Sequence, residues 1–143
     1  MSDIDKAKQI LGREGATLAI VKEGQVLFMS DSSGIRGLLQ AIEKIGKEMA
    51  GSSAADKVVG RAAALLLAYS KVKEVYASVI SKGGLKVLKE DGIKVVFQNM
   101  VQIILDRMGK SVCPFEKFSS QIGLSDKTYE QLKEFAEDFW KKQ

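Results

Sequence analysis

The chemistry open to this chain is bounded first by a residue type it lacks. None of its 143 residues is histidine. That removes the usual general base, the commonest zinc ligand and the partner of any Ser-His or Cys-His pair. Three groups of residues remain that could do chemistry or hold a ligand. The first is Cys113-Pro114-Phe115-Glu116, which sets the only thiol three positions before a carboxylate. A reactive thiolate needs a cation or a helix N-terminus beside it. Lys110 and a helix expected after Cys113 could supply both. A Cys-Pro turn with Glu116 capping a helix is the plainer account, since a free cysteine is usually a small buried hydrophobe.

The second group is Ser81-Lys82-Gly83-Gly84-Leu85, at a strand-to-helix junction. Free backbone N–H groups at such a junction favour an anion. Two glycines would let a ligand approach the backbone, and Lys82 adds positive charge. The run is not a P-loop, because Gly-x-x-x-x-Gly-Lys-Ser/Thr is missing. A tight turn that needs glycine dihedrals explains it as well. The third group is Asp56, Lys57 and Arg61, expected near the start of a long apolar helix. Lys57 or Arg61 could face the same cleft as Lys82, giving a cationic pocket without metal. Solvated charges at a helix start are the simpler reading.

These residues must be positioned by regular elements. Ser2 or Asp3 caps a first helix in which Ile4, Ala7, Ile10 and Leu11 share a face, ended by Gly12 and Gly15. Thr17–Val21 and Val26–Ser30 read as a β-hairpin, with Gly24 at the turn position that needs positive φ. Asp31–Gly34 is a polar turn that can cap a helix carrying Ile35, Leu38, Leu39, Ile42 and Ile45 on one stripe. Ala54–Tyr69 reads as a third helix, apolar all round from Ala62 to Ala68. That stretch is either the chain's own core or a homodimer face, and core is the usual meaning of such a pattern.

Glu74–Ile80 is a β-branched strand, Leu85–Glu90 a short helix stopped by Asp91-Gly92, and Ile93–Phe97 another strand. Val101–Leu105 fits a short helix or a further strand equally. Gly109–Pro114 is a loop, and Phe115–Ile122 has room for a helical turn or two. Ser125 caps a last helix with Tyr129, Leu132, Phe135, Ala136 and Phe139 on one stripe. Strand, crossover helix and strand imply a parallel pair. With the antiparallel hairpin in front, a mixed sheet with helices on both faces follows: a three-layer α/β/α sandwich.

Composition agrees with a globular chain: 45% hydrophobic and 28% charged residues, with one proline. The expectation is a single domain over 1–143, with a core at about 16–118 and a C-terminal helix at about 125–141. The net charge of +4 is spread along the chain and the aromatic content is only 7%. That argues against nucleic acid, which favours clustered cations with interleaved aromatics. A lone cysteine suits a reducing cytoplasm. No apolar run approaches the ~18 residues of a membrane span.

From Val58 onward the order of elements resembles the cytidine-deaminase-like fold. In active members an apolar helix begins with His-Ala-Glu or Cys-Ala-Glu, and Pro-Cys-x-x-Cys opens a short helix that ends in Gly-Ile. Here the second stretch is Ile80-Ser81-Lys82-Gly83-Gly84-Leu85-Lys86-Val87-Leu88-Lys89-Glu90-Asp91-Gly92-Ile93-Lys94-Val95-Val96-Phe97, with Leu88, Gly92 and Val95-Val96 at the family's leucine, glycine and strand. More closely, the chain resembles domain of unknown function 1893, an uncharacterised bacterial family placed in that superfamily. Asp56–Ala64, Val75-Tyr76-Ala77, Ser81–Leu85 and Cys113–Glu116 carry the likeness, which covers roughly Leu18 to Phe118.

The resemblance implies the fold and withholds the chemistry. Ser81 and Gly84 stand where the two zinc cysteines belong. Gly60 or Arg61 stands near the His/Cys position, and Ala62 or Ala63 near the catalytic glutamate. Zinc deamination needs three protein ligands, an activated water and a glutamate, so neither a metal nor a cofactor is expected. The leading expectation is a metal-free deaminase-like module that binds a small anionic or nucleotide-like ligand at Ser81–Gly84. Asp56, Lys57, Arg61, Cys113 and Glu116 are candidates around it. An enzyme of another reaction, using Cys113 or a cleft carboxylate, stands second. An oligomeric or regulatory protein-interaction module stands third.

Overall fold

The computed structural model describes residues 1–143, apart from the side chain of Glu14. Helix α1 (Asp3–Glu14) is capped by Ser2, whose hydroxyl accepts the Asp5 N–H at 3.2 Å. Gly15 ends it in the left-handed region (φ 69), while Gly12, expected to help end it, lies inside it. Strands β1 (Leu18–Lys22) and β2 (Gln25–Ser30) form the expected hairpin. Its turn puts Glu23 (φ 51) and Gly24 (φ 77) both at positive φ, the primed geometry that matches strand twist. The Asp3 carboxylate accepts both of their N–H groups at 2.9 Å, tying α1 to the hairpin.

Helix α2 (Arg36–Ile45) follows, but no side chain of the Asp31–Gly34 turn caps it: the position before it is Ile35. The largest departure from expectation comes next. Ala54–Tyr69 is two elements, strand β3 (Ser53–Val59) and helix α3 (Arg61–Tyr69), parted at Gly60. Strand β3 runs between β1 and β4 (Glu74–Ser81) in a sheet of order β2-β1-β3-β4-β5, with β5 spanning Lys94–Val101. It pairs antiparallel with β1 and parallel with β4, and β4 pairs parallel with β5, so the sheet is mixed. Covered on both faces, β3 uses small apolar residues without alternation. It therefore merges in the sequence with the alanine-rich helix that follows. Asp56, expected near a helix start, lies in this central strand.

The alternation of β1 shows the layers. Ala19 and Val21, with Ala55 and Tyr76, pack under α1 and its residues Ala7, Ile10 and Leu11. Leu18 and Ile20, with Ala54, Val75 and Ala77, pack on the opposite face under α2, α3, α4 (Lys82–Glu90) and α6 (Thr128–Lys141). The expected α/β/α sandwich with a C-terminal helix is thus the observed one. Helix α3 is apolar all round because it is enclosed all round, by the sheet and by α2, α4, α6 and α5 (Pro114–Ser119). Every residue from Ala62 to Ala68 is buried within the chain. Truncating any one of Leu65, Leu66 or Leu67 to alanine costs about 2–5 kcal/mol.

Three boundaries also differ from expectation. Helix α4 starts at Lys82, not Leu85, because Gly83 and Gly84 take helical rather than turn dihedrals. Strand β5 runs on to Val101, and the segment after it is irregular apart from a bridge between Leu105 and Val112. Ser125 does not occupy the N-cap of α6, which is Lys127. Its hydroxyl accepts the Lys127 N–H at 3.1 Å and holds the turn in front of the helix.

Candidate functional site

In a parallel sheet of this kind, ligands sit beyond the carboxyl ends of the strands, where the following helices begin. Here the neighbours β3 and β4 end in register, Val59 beside Ile80. Each passes almost directly into a helix: Gly60 leads into α3, and Ser81 into α4. Two helix N-termini therefore stand side by side at the end of the sheet.

The chain fills the space between them. A Cβ placed on Gly84 would lie 2.9 Å from the Val59 carbonyl oxygen and 3.0 Å from that of Gly60. Glycine is required there by close approach, not by a turn. A Cβ on Gly60 would meet the Glu116 carboxylate at 2.8 Å and the Ile104 side chain at 3.1 Å. Glu116 is buried. Its Oε1 accepts the Arg61 N–H at 2.5 Å, and its Oε2 accepts the Ile104 N–H at 3.0 Å. An internal carboxylate thus sits at the positive end of α3, where the macrodipole favours it.

Arg61 completes the closure. Its Nε donates to the Ser119 carbonyl and its Nη2 to the Ile122 carbonyl, both at 2.8 Å. Ser119 is the last residue of α5 and Ile122 lies three residues beyond it, so the guanidinium clamps the end of α5 and the turn after it onto α3. Ser81 is fully buried, and its hydroxyl accepts the Gly84 N–H at 3.0 Å as the cap of α4. Lys82 and Lys57 are exposed, and Gly83 is half-buried; a Cβ placed on Gly83 would lie 3.7 Å from the Arg61 Cβ and 3.9 Å from its Cδ. Cys113 is half-buried at the position before α5, its N–H donating to the Ile104 carbonyl at 2.9 Å.

Asp56 stands apart from this cluster. It is 6% exposed, between Leu18 of β1 and Ala77 of β4. Desolvation pushes its pKa up to about 8, against the backbone N–H groups of Val58 and Lys57, which favour the charged form. At neutral pH it is mostly a neutral acid.

Of the residues singled out from the sequence, the structure brings Arg61, Ser81, Gly83, Gly84 and Glu116 together. Asp56 is in the sheet interior, and Lys57, Lys82 and Cys113 lie at the margins. Sequence reasoning missed the roles of Gly60 and Ile104. Gly60 carried a signal, an isolated glycine before an apolar run, whereas nothing local marks Ile104. Among the described residues, no three His, Cys, Asp or Glu side chains gather to hold a metal. The zinc of the deaminase fold does not fit the residues present. A cysteine at position 84 would collide with the backbone of Val59 and Gly60, and Ser81 is already engaged. Two surface depressions, of about 470 and 540 Å³, lie elsewhere, one by Phe28 and Glu43 and one between α5 and α6. Among the described residues, no helix is long and apolar enough to cross a membrane.

Comparison with known proteins agrees with this architecture. The crystal structure of the DUF1893 family protein TM1506 from Thermotoga maritima superposes with a TM-score of 0.82 at 29% identity, over 95% of this chain and 89% of that one. The RibD protein of Acinetobacter baumannii matches with a TM-score of 0.51 at 16% identity, over 91% of this chain and 38% of that one. A Thermotoga maritima diaminohydroxyphosphoribosylaminopyrimidine deaminase/5-amino-6-(5-phosphoribosylamino)uracil reductase matches with a TM-score of 0.50 at 15% identity, over 80% and 39%. These last two show the deaminase-like fold alone. No curated protein matches the sequence. The family profile described as Domain of unknown function (DUF1893) matches residues 6–136, so the likeness extends beyond the Leu18–Phe118 span read from the sequence and takes in most of α6. The chain belongs to the DUF1893 family, a family of unknown function built on the deaminase-like α/β fold.

Proposed function

We propose that this chain acts by binding and not by deaminating a base, as a metal-free module that takes a small anionic or nucleotide-like ligand at the start of α4. The observation that carries this reading is the Glu116 carboxylate on the Arg61 N–H. It fills one of the two adjacent helix N-termini with an anion from the chain itself, whereas the other, that of α4, has only the neutral Ser81 hydroxyl on its Gly84 N–H. The first N–H groups of α4, those of Lys82 and Gly83, have no acceptor within the helix. Lys82 is exposed beside them, and Gly83 has no side chain to keep a ligand off.

The reading as an enzyme of another reaction is weaker. Glu116 is occupied by two backbone N–H groups, Asp56 is buried and mostly neutral, and Cys113 has no histidine in the chain to serve as its base. A protein-interaction role stands second, favoured by the exposed apolar side chains on and after β5.

The test is a thermal-shift screen against inorganic phosphate, nucleosides and nucleotides. A ligand present at a hundred times its Kd stabilises by about 2.7 kcal/mol, a rise in Tm of roughly 5–11 °C. The expected result is a rise with phosphate or nucleotides that disappears in Lys82→Ala. A flat screen, or a rise that survives in Lys82→Ala, overturns this site.

A further inference from the structure

We infer that the free edge of β5 is an interface, and that its occupant is the β5 edge of a second copy of this chain, paired antiparallel across a two-fold axis. Strand β5 is bonded to β4 on one side only, and the order β2-β1-β3-β4-β5 leaves its other side as an unpaired ladder of eight residues. An open edge of that length templates pairing unless charges, proline or a bulge guard it. Strand β5 has none of these in its interior: Lys94 at its first position is its only charged residue, and it contains no proline.

The side chains point the same way. Among the described residues twelve large hydrophobics are exposed, and seven of them fall within the short run 96–112: Val96, Phe97 and Met100 on β5, then Ile103, Leu105, Met108 and Val112. At roughly 150–200 Å² for a fully exposed large side chain, their fractional exposures come to about 500–650 Å². Spread over both faces of β5 and the segment after it, that is as much apolar surface as the largest patch of an ordinary monomer holds, about 300–600 Å². With the backbone edge and the neighbouring Gln98 and Asn99 added, it approaches the roughly 800 Å² per partner of a stable complex.

A second copy fits this surface better than a charged partner does. Antiparallel pairing about a two-fold axis through Gln98 sets Val96 against Met100 and Val95 against Val101, with Gln98 opposite its own copy. The single Lys94 of each strand falls at opposite ends, where no like charges are opposed. The product is one continuous sheet of twice five strands. The other edge, β2, exposes only Val26 and Met29 among its large hydrophobics, and its Leu27 and Phe28 pack on the core under α2.

The experiment is sedimentation equilibrium on the full chain from micromolar to near-millimolar concentration. Three proteins are compared: the parent, the double variant Val96→Lys with Met100→Lys, and the double variant Val26→Lys with Met29→Lys on the opposite edge. The expected result is a mass of twice 15.6 kDa for the parent and for the β2 variant, and a monomer for the β5 variant with its far-UV circular dichroism intact. A monomeric parent overturns the inference, and so does a dimer that survives the β5 substitutions. Should the β5 variant lose its fold, amide exchange of residues 95–101 in the parent decides instead. Protection that rises with protein concentration supports the pairing, and exchange independent of concentration overturns it.

Discussion

A carboxyl in the middle of a central strand must be partnered or neutral, and Asp56 is mostly neutral. Its pKa is raised to about 8 in the fold against an ordinary 3.8, so the native state holds its proton where the unfolded chain has released it. The stability it contributes is fully present below pH 3.8. It declines as pH rises and is lost once pH passes about 8. Within that window the slope is up to about 1.4 kcal/mol per pH unit. Asp56→Asn keeps the shape and removes the titration. Urea unfolding from pH 5 to pH 8 should therefore show the parent losing stability relative to the variant, by on the order of 1 kcal/mol per pH unit. Two parallel stability curves would show that Asp56 is already ionised in the fold.

At the scale of elements, Glu116 ties three segments at once: it is on α5, caps α3 through the Arg61 N–H and holds the post-β5 segment through the Ile104 N–H. Glu116→Ala leaves two donors without their charged acceptor and should cost about 2–4 kcal/mol in urea unfolding. Glu116→Gln keeps one carbonyl oxygen and should cost distinctly less, on the order of 1 kcal/mol. Equal losses in the two variants would mean that packing, and not the hydrogen bonds, sets the energy. Much of this site was legible in the sequence. Arg61, the Ser81–Gly84 run and Glu116 were all singled out by residue type and spacing. What concealed their arrangement was β3. Its Ser53-Ala54-Ala55-Asp56 run lacks the alternation of a half-exposed strand, and a single glycine, Gly60, is all that parts the strand from the helix. With both faces covered, small residues suffice, and alanine is as much at home in a helix. Reading that strand as helix moved Asp56 from the sheet interior to a helix surface. The contacts of Ile104 and of the Ser119 and Ile122 carbonyls join residues far apart in the chain, and no local pattern encodes them.

For the whole molecule, the question is whether α6 is an appendage or part of the structure that shapes the site. Leu132 and Ala136 are fully buried in the same core as α3. Phe115 and Phe118 of α5 pack on Phe135 of α6, with Phe118 and Phe135 stacked at 4.2 Å, and Tyr129 stacks on Tyr69 of α3. The Arg36 guanidinium lies 3.8 Å above the Trp140 ring, joining α2 to the end of α6. Helix α6 therefore holds α5 down, α5 carries Glu116, and Glu116 closes the space between α3 and α4. By that chain of contacts, α6 cannot melt alone. Trp140 is the only tryptophan, so its fluorescence reports α6, while far-UV circular dichroism reports the whole chain. The two unfolding curves in urea should coincide, with one midpoint and one slope, as a cooperative unit requires. A fluorescence transition at lower urea than the dichroism would make α6 a separable element. The closed site between the two helix starts would then have to stand on the Arg61 clamp and Glu116 without it.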